Sequence, residues 1–458
     1  MMEEEVVIVG AGIGGLAAAV ALKRVGVKAV VLERAAELRA TGSAIGLFPN
    51  AWRALDAIGV ADKLQALYAP VGSALIIDVN TKVTQEVRYD ANGKRAGPRV
   101  VHRKTLLQTL ASELDSDTIR FSSRIRIIES QVEDGHHFAV LGLEDGTIIK
   151  AKVVIGCDGI HSVVARNLKL ASPVESGRSA VRGLAIYPNG HGLPHAPHQE
   201  LRHKANGTST DVQPSGLFTS AGKGKKNGGK KKERKSSSKG AKPDDVCNYC
   251  KEKGHWKFDC PKKKKQSEKQ PVSAAVAEED TNSEEDIALV ADENTHHSDD
   301  FPETFIDVVR HADVSATSWA SLMFRYPWDV IFGKLNTENV TVLGDAMHPT
   351  TPDLGQGGGM ALEDAVVLGR HIGNVTGPDG TLTPEGVSRA LTNYVEEWRW
   401  RAAWVIAASF VSGWVQQDGS GWFMKFLRGV FYKTIMPKIF SIADYDCGKL
   451  PSKNESFH

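Results

Sequence analysis

Apolar positions along this chain fall into short runs and period-2 stretches, with a few segments at helical spacing and no internal repeat. Glu5–Val9 reads as a buried strand, Gly14–Val25 as a helix and Lys28–Leu32 as a second buried strand. Asn50–Ile58 and Lys104–Leu114 carry their apolar residues at helical spacing. Ser73–Asp78, Ile119–Ile128, His137–Leu143 and Ile148–Val154 alternate or run apolar in the manner of antiparallel strands. A further strand is expected at Val340–Leu343, then a helix from about Met360 to His371 and a helical C-terminal region. This order predicts an α/β fold: a Rossmann-like domain joined to an antiparallel sheet.

The stretch 201–300 breaks the pattern. Its four aromatics are Phe218, Tyr249, Trp256 and Phe258, and Gly, Ser, Lys and acidic residues dominate the rest. Such a segment buries too little apolar surface to offset its chain entropy, so it is expected to be largely disordered. The chain then divides into 1–200, an insert at 201–300 and a continuation at 301–450.

Charge sharpens that division. The whole chain has 56 Lys+Arg and 55 Asp+Glu, a net charge of +1. Residues 223–265 hold 17 basic and 5 acidic side chains, a net of +12, whereas 278–300 hold 10 acidic side chains and no Lys or Arg. The near-neutral total hides a strongly dipolar insert in a frame of about −1. Five cysteines in 458 residues exclude a disulfide framework. The apolar run Val6–Leu22 follows Glu3, Glu4 and Glu5, where a signal peptide needs positive charge. Ala402–Val415 is short for a membrane span and is interrupted by Ser409, Ser412 and Gly413. A soluble, cytoplasmic protein is expected.

Three glycine-rich segments carry the candidate chemistry. The first, Val6–Gly15, places Gly10, Gly12 and Gly15 on the GxGxxG spacing between a strand and a helix. Gly10 permits a tight turn, Gly12 a close backbone approach to a pyrophosphate, and Gly15 close helix–strand packing. Glu33, at the end of the second strand, is placed to accept ribose hydroxyls. The second, Val153–Arg166, puts Asp158 on a turn and Ser162 at a helix start, where both also serve as ordinary caps. The third, Val340–Gly369, delivers Asp345 at a strand end. Pro349, Pro352, Gly355, Gly357, Gly358 and Gly359 follow, just before a helix whose free N–H groups face any ligand there.

In their order, GAGIGG, GCDG and GDAMHPTTPDLGQGG resemble the class A flavoprotein monooxygenases, in particular plant monooxygenases of the salicylate-hydroxylase-like type. The resemblance covers roughly 1–200 and 301–450. It implies that Gly10, Gly12 and Gly15 hold the FAD pyrophosphate and Glu33 the adenosine ribose. Arg103 would contact FAD phosphates, with a surface helix arginine as the alternative. Asp158 would serve FAD and a transient NAD(P)H, and Asp345 the ribitol chain. Pro352, Gly355, Gln356 and Gly357 would lie beside the reacting flavin ring, with His348 structural. The implied chemistry is NAD(P)H- and oxygen-dependent hydroxylation of a small aromatic substrate; an oxidase or reductase on the same flavin is the alternative.

The insert contains Cys247, Cys250, His255 and Cys260 on the spacing C-x2-C-x4-H-x4-C. Three thiolates and an imidazole make a tetrahedral zinc set. Tyr249 and Trp256 are suited to stacking on unpaired bases, and the flanking lysine runs to phosphates, so single-stranded RNA or DNA is the expected partner. This part resembles the nucleocapsid region of copia-type retrotransposon Gag proteins. Strand-like sequence expected between Arg182–Gly192 and the helix-like Phe301–Asp313 is missing. The chain thus reads as a chimera, or as a mis-joined gene model, whose substrate pocket the insert has damaged.

Overall fold

The structure is a computed structural model that describes residues 1–38, 44–78, 84–89, 97–133, 135–182, 198–203, 318–417 and 441–451. In chain order the described elements begin with β1 (Met2–Val9), α1 (Ile13–Arg24), β2 (Ala29–Leu32), β3 (Ala44–Leu47), α2 (Pro49–Ala57) and α3 (Ala61–Gln65). They continue with β4 (Ser73–Asp78), β5 (Thr84–Arg88), β6 (Arg99–His102), α4 (Arg103–Ala111), β7 (Ile119–Arg120), β8 (Ile125–Glu133), β9 (His136–Leu143), β10 (Ile148–Gly156) and α5 (Val163–Asn167). The last are β11 (Val174–Arg182), β12 (His198–His203), β13 (Ser318–Phe324), α6 (Pro327–Ile331), β14 (Val340–Val342), α7 (Gly357–Gly373) and α8 (Pro384–Gln417).

The central sheet runs β7-β2-β1-β10-β9-β8, with β14 also paired to β10. β10 is long enough to serve two neighbours along one edge. Its first half pairs antiparallel with β9, from Ile148↔Gly142 to Ala151↔Ala139, and its second half pairs parallel with β14, from Val154↔Val340 to Gly156↔Val342. The parallel core is apolar on both faces, as a sheet covered on both sides must be: Val6, Val7 and Ile8 of β1 and Val153, Val154 and Ile155 of β10 are fully buried. α1 is buried from Gly15 to Leu22, and α7 packs against it. Gly369 lies so close to Ala21 that an added Cβ would stand 2.8 Å from its methyl.

Most expected elements are present, with shifts. Ile119–Ile128 is not one strand. β7 joins β2 in parallel, Ser122 turns the chain at φ 53°, and β8 starts afresh at Ile125. The last helix of the glycine-rich segment begins at Gly357 rather than near Met360. β12 runs through His203, past the expected boundary at residue 200, and pairs parallel with β4. β13 has no counterpart in the sequence reading; it pairs antiparallel with β11 from Val174↔Phe324 to Arg182↔Ser318. The partners Arg182 and Ser318 therefore bracket the stretch 183–317. Most of the expected strand Arg182–Gly192, the helix Phe301–Asp313 and the insert beyond His203 lie outside the described residues. Among the described residues, no helix is long and apolar enough to cross a membrane.

Close packing at one glycine is directly testable. A Cβ on Gly15 would stand 1.9 Å from the Gly10 carbonyl oxygen and 3.2 Å from the Cys157 Cβ. Gly15→Ala is therefore expected to cost about 1–3 kcal/mol of stability, the usual range for overpacking. Thermal denaturation checks this, and an unchanged melting temperature would contradict the packing.

Candidate functional site

Four parallel strands end level with one another: Leu32 pairs with Val9, Val9 with Gly156, and Gly156 with Val342. Ligands of open α/β sheets bind beyond such carboxyl ends. Gly10 leaves β1 at φ +103°, a conformation that favours glycine, and its N–H donates to the Leu32 carbonyl at 2.8 Å. A Cβ on Gly10 would stand 2.6 Å from the Cys157 carbonyl oxygen, whereas a Cβ on Gly12 would meet nothing within 4 Å among the described residues. The first is closed by the neighbouring strand; the second opens into space. α1 begins at that opening with no side-chain cap and no acidic residue in its first turn. Its first N–H groups and positive dipole end thus face an anion site.

Glu33 braces this loop. It is 6% exposed; one carboxylate oxygen accepts from Ala11 N–H and the other from Ala35 N–H, each at 2.9 Å. Beyond β10, Asp158 Oδ2 accepts from Val163 N–H at 2.6 Å and Ser162 Oγ from Ala165 N–H at 2.8 Å, so both cap α5. Asp158 Oδ1 is buried with no hydrogen-bond partner among the described residues, and burial pushes its carboxyl pKa up. Asp345 is exposed on the 3-10 turn that follows β14.

Buried charged and polar groups hold the connection from Gly344 to Gly357. Asp364 of α7 accepts from Gly344 N–H at 2.7 Å, from His348 Nε2 at 2.5 Å and from Tyr394 hydroxyl at 3.0 Å. Arg325, at the end of β13, donates to the carbonyls of Ala171 (2.9 Å) and Ala346 (2.8 Å) and to that of Met347. Burial lowers the Arg325 pKa to about 10. Asp353 forms a bidentate pair with Arg178 of β11, both contacts 2.6 Å. Glu363 accepts two bonds from Arg401, at 2.6 and 2.7 Å, and one from Asn50, whose amide also donates to Gln356 Oε1 at 2.8 Å. α7 starts at Gly357 with no side-chain cap. Its first turn lies against that of α1, since a Cβ on Gly14 would stand 3.4 Å from the Ala361 Cβ and one on Gly358 3.9 Å from the Ile13 Cδ1. Two uncapped helix N-termini thus open side by side.

Comparison with known proteins agrees with this geometry. The FAD binding domain family model matches residues 3–210. Monooxygenase 2 and Monooxygenase 1 of Arabidopsis thaliana are 31% and 32% identical to this chain, over 98% of it and 100% of each relative. The chain belongs to the FAD-dependent monooxygenase family. Among solved structures, Klebsiella pneumoniae HpxO complexed with FAD and uric acid shares the fold, at a TM-score of 0.63 and 18% identity, covering 97% of this chain and 96% of that one. The zinc knuckle family model matches residues 245–262, the segment holding Cys247, Cys250, His255 and Cys260, which lies outside the described residues. Among the described residues no cluster of three or more His, Cys, Asp or Glu is arranged to hold a metal.

In this monooxygenase the structure brings Gly10, Gly12, Gly15, Glu33, Asp158 and Asp345 to the ends of adjoining strands. Arg103 opens α4 directly after β6, whose partner β3 supplies Ile45 against Gly358. Pro352 starts a 3-10 turn that ends at Gly355, at φ +62°, and Gly357 follows at the head of α7. Gln356 is 4% exposed, and its side chain turns into the Asn50–Glu363 network, leaving its backbone at the opening. Sequence reasoning missed Asn50, Arg178, Arg325, Asp364, Tyr394 and Arg401. A weak signal existed: Glu363–Asp364 interrupts the apolar run Met360–Leu368, and Arg325 follows Leu322–Phe324.

His348 links this packing to pH. Burial alone would lower its pKa, but the Asp364 carboxylate raises it further, and the net shift is upward. A raised folded value means that the protonated form's stabilisation is complete below the unfolded value of about 6.5 and is lost as pH rises through the folded value. The melting-temperature gap between wild type and His348→Gln is therefore expected to narrow as pH rises above about 6.5. A gap independent of pH would contradict the assignment.

Proposed function

We propose that this chain uses FAD, NAD(P)H and molecular oxygen to hydroxylate a small aromatic substrate. One observation carries the reading: two uncapped helix N-termini open together at level strand ends, with free space above Gly12. The groups present fit FAD. The Gly12 opening suits a phosphate, Asp158 Oδ1 (without a partner among the described residues) suits a hydroxyl donor, and exposed Asp345 stands at the next strand end. Gly10, Gly12 and Gly15 would hold the pyrophosphate, Glu33 the adenosine ribose, Arg103 a phosphate, and Asp345 the ribitol. Pro352, Gly355 and Gly357, with the backbone of Gln356, would flank the ring.

Bound FAD supplies hydride acceptance and oxygen activation, which no side chain provides. The chain's own residues orient and shield. The α7 N-terminus would favour negative charge on a flavin ring held there. Pro352 and the buried Arg178–Asp353 pair hold the turn and would limit water beside a bound ring. The aromatic class rests on the resemblance of the three motifs to aromatic hydroxylases. The uric acid bound in the Klebsiella protein supports a small substrate.

A second reading concerns a separate segment. The zinc knuckle match at 245–262, flanked by lysine runs, favours a zinc site that binds single-stranded nucleic acid, within an insert of retroelement origin. The two activities use different residues, and the insert is proposed to impair the first by displacing substrate-sheet strands.

Purified full-length protein is expected to be yellow and to oxidise NAD(P)H with incorporation of an oxygen atom into product. Hydrogen peroxide alone, with no oxygenated product, would point to an oxidase. Gly12→Val is expected to fold normally, because open space surrounds the position, yet to lose FAD. Retention of FAD at the wild-type ratio would contradict the cradle. For the knuckle, affinity for single-stranded RNA is expected to require Zn2+ and to fall steeply with salt. Chelation without effect would remove that reading.

A further inference from the structure

The Arg178–Asp353 pair is unusual in its placement. Arg178 follows a β-bulge: β11 and β13 shift register between Glu175 and Arg178, with Gly177 at φ +75°. A bulge re-aims the side chain that follows it. Here the guanidinium reaches out of the β11–β13 sheet to the turn Pro352–Leu354, which immediately precedes the α7 opening. Both side chains are almost fully buried, at 4% and 0% exposure. α8 forms the third side. Ser409 donates to the Thr351 carbonyl at 2.6 Å, and one turn on, a Cβ at Gly413 would stand 2.7 Å from Arg178 Nη2 and 2.8 Å from Asp353 Oδ2. Glycine is thus needed where the helix passes the pair.

Buried ion pairs contribute little net stability, because desolvation offsets most of their attraction. What a two-bond guanidinium–carboxylate contact does supply is a defined distance and angle between the segments that carry it. We infer that Arg178 and Asp353 are positioning residues that lock the β11–β13 sheet to the turn flanking the flavin ring, so that FAD is gripped at its ring end as well as at its pyrophosphate. The inference rests on the flavin reading above. It treats the pair as acting through Pro352 and Gly355, with no contact of its own to substrate.

The test compares two ligands on the full-length protein. ADP tests the pyrophosphate and ribose sites without the ring, and FAD tests both ends. Arg178→Gln and Asp353→Asn are expected to raise the FAD Kd at least tenfold and to change the visible circular dichroism of bound flavin, while the ADP Kd stays within twofold of wild type. Arg178→Lys keeps the charge without the fork and is expected to lose less. Gly413→Ala, which keeps both charged groups and crowds them, is expected to shift FAD in the same direction. If FAD and ADP affinities fall together, the pair merely supports the fold and the inference is overturned. Unchanged FAD affinity and flavin dichroism in the variants would overturn it too, leaving the flavin reading intact. Wild-type protein that binds ADP but not FAD would overturn the flavin reading and the inference with it.

Discussion

Parallel pairing of β1, β10 and β14 in one register is the constraint on which the rest depends. Because Val9, Gly156 and Val342 are successive partners, three loops far apart in sequence leave the sheet at one level. A slip of one residue in β14 would turn its side chains over and carry Asp345 away from Asp158 and Gly12. The register holds because both faces of these strands are close-packed, so a slip would mismatch side chains against the layers on both sides. Glycines then set how closely the loops pack: closed at Gly10 and Gly15, open at Gly12.

The connection from β14 to α7 solves a different problem. It is rich in glycine and carries few apolar anchors, chiefly Ala346, Met347 and the partly buried Leu354. Buried ionic and polar contacts take that role: Asp364 on Gly344 and His348, Arg325 on carbonyls 346 and 347, Arg178 on Asp353, and Ser409 on Thr351. Such groups pay heavily in desolvation if left unpaired, so each site admits one arrangement. The result is a loop held from β11, β13, α7 and α8 at once. Its rigidity comes from outside its own sequence.

The flanks of the insert illustrate how tertiary pairing overrides linear order. Composition and charge mark 201–300 as foreign and suggest a broken substrate sheet. Yet Arg182 and Ser318, on either side of 183–317, are direct partners in the β11–β13 ladder. β13 escaped the sequence reading because Ser318–Phe324 is short and its pattern, SWASLMF, gains its strand character from β11. Likewise β7 and β8 merged in the linear pattern, since only pairing with different strands tells them apart.

The sequence by itself determined the α/β class, the dinucleotide-type loop, the order of the three glycine-rich motifs and the knuckle, because each depends on local spacing between neighbouring residues. Glycines at defined intervals, an acid at a strand end and three Cys and one His at knuckle spacing within fourteen residues need no distant partner to be recognised. Only the tertiary structure decided which strands meet, that Gln356 turns inward, that Asp158 caps α5, and that Arg178, Arg325, Asp364 and Arg401 anchor the site. Those contacts join residues up to 306 positions apart. Their energy comes from burial and pairing, which exist only once the chain has folded.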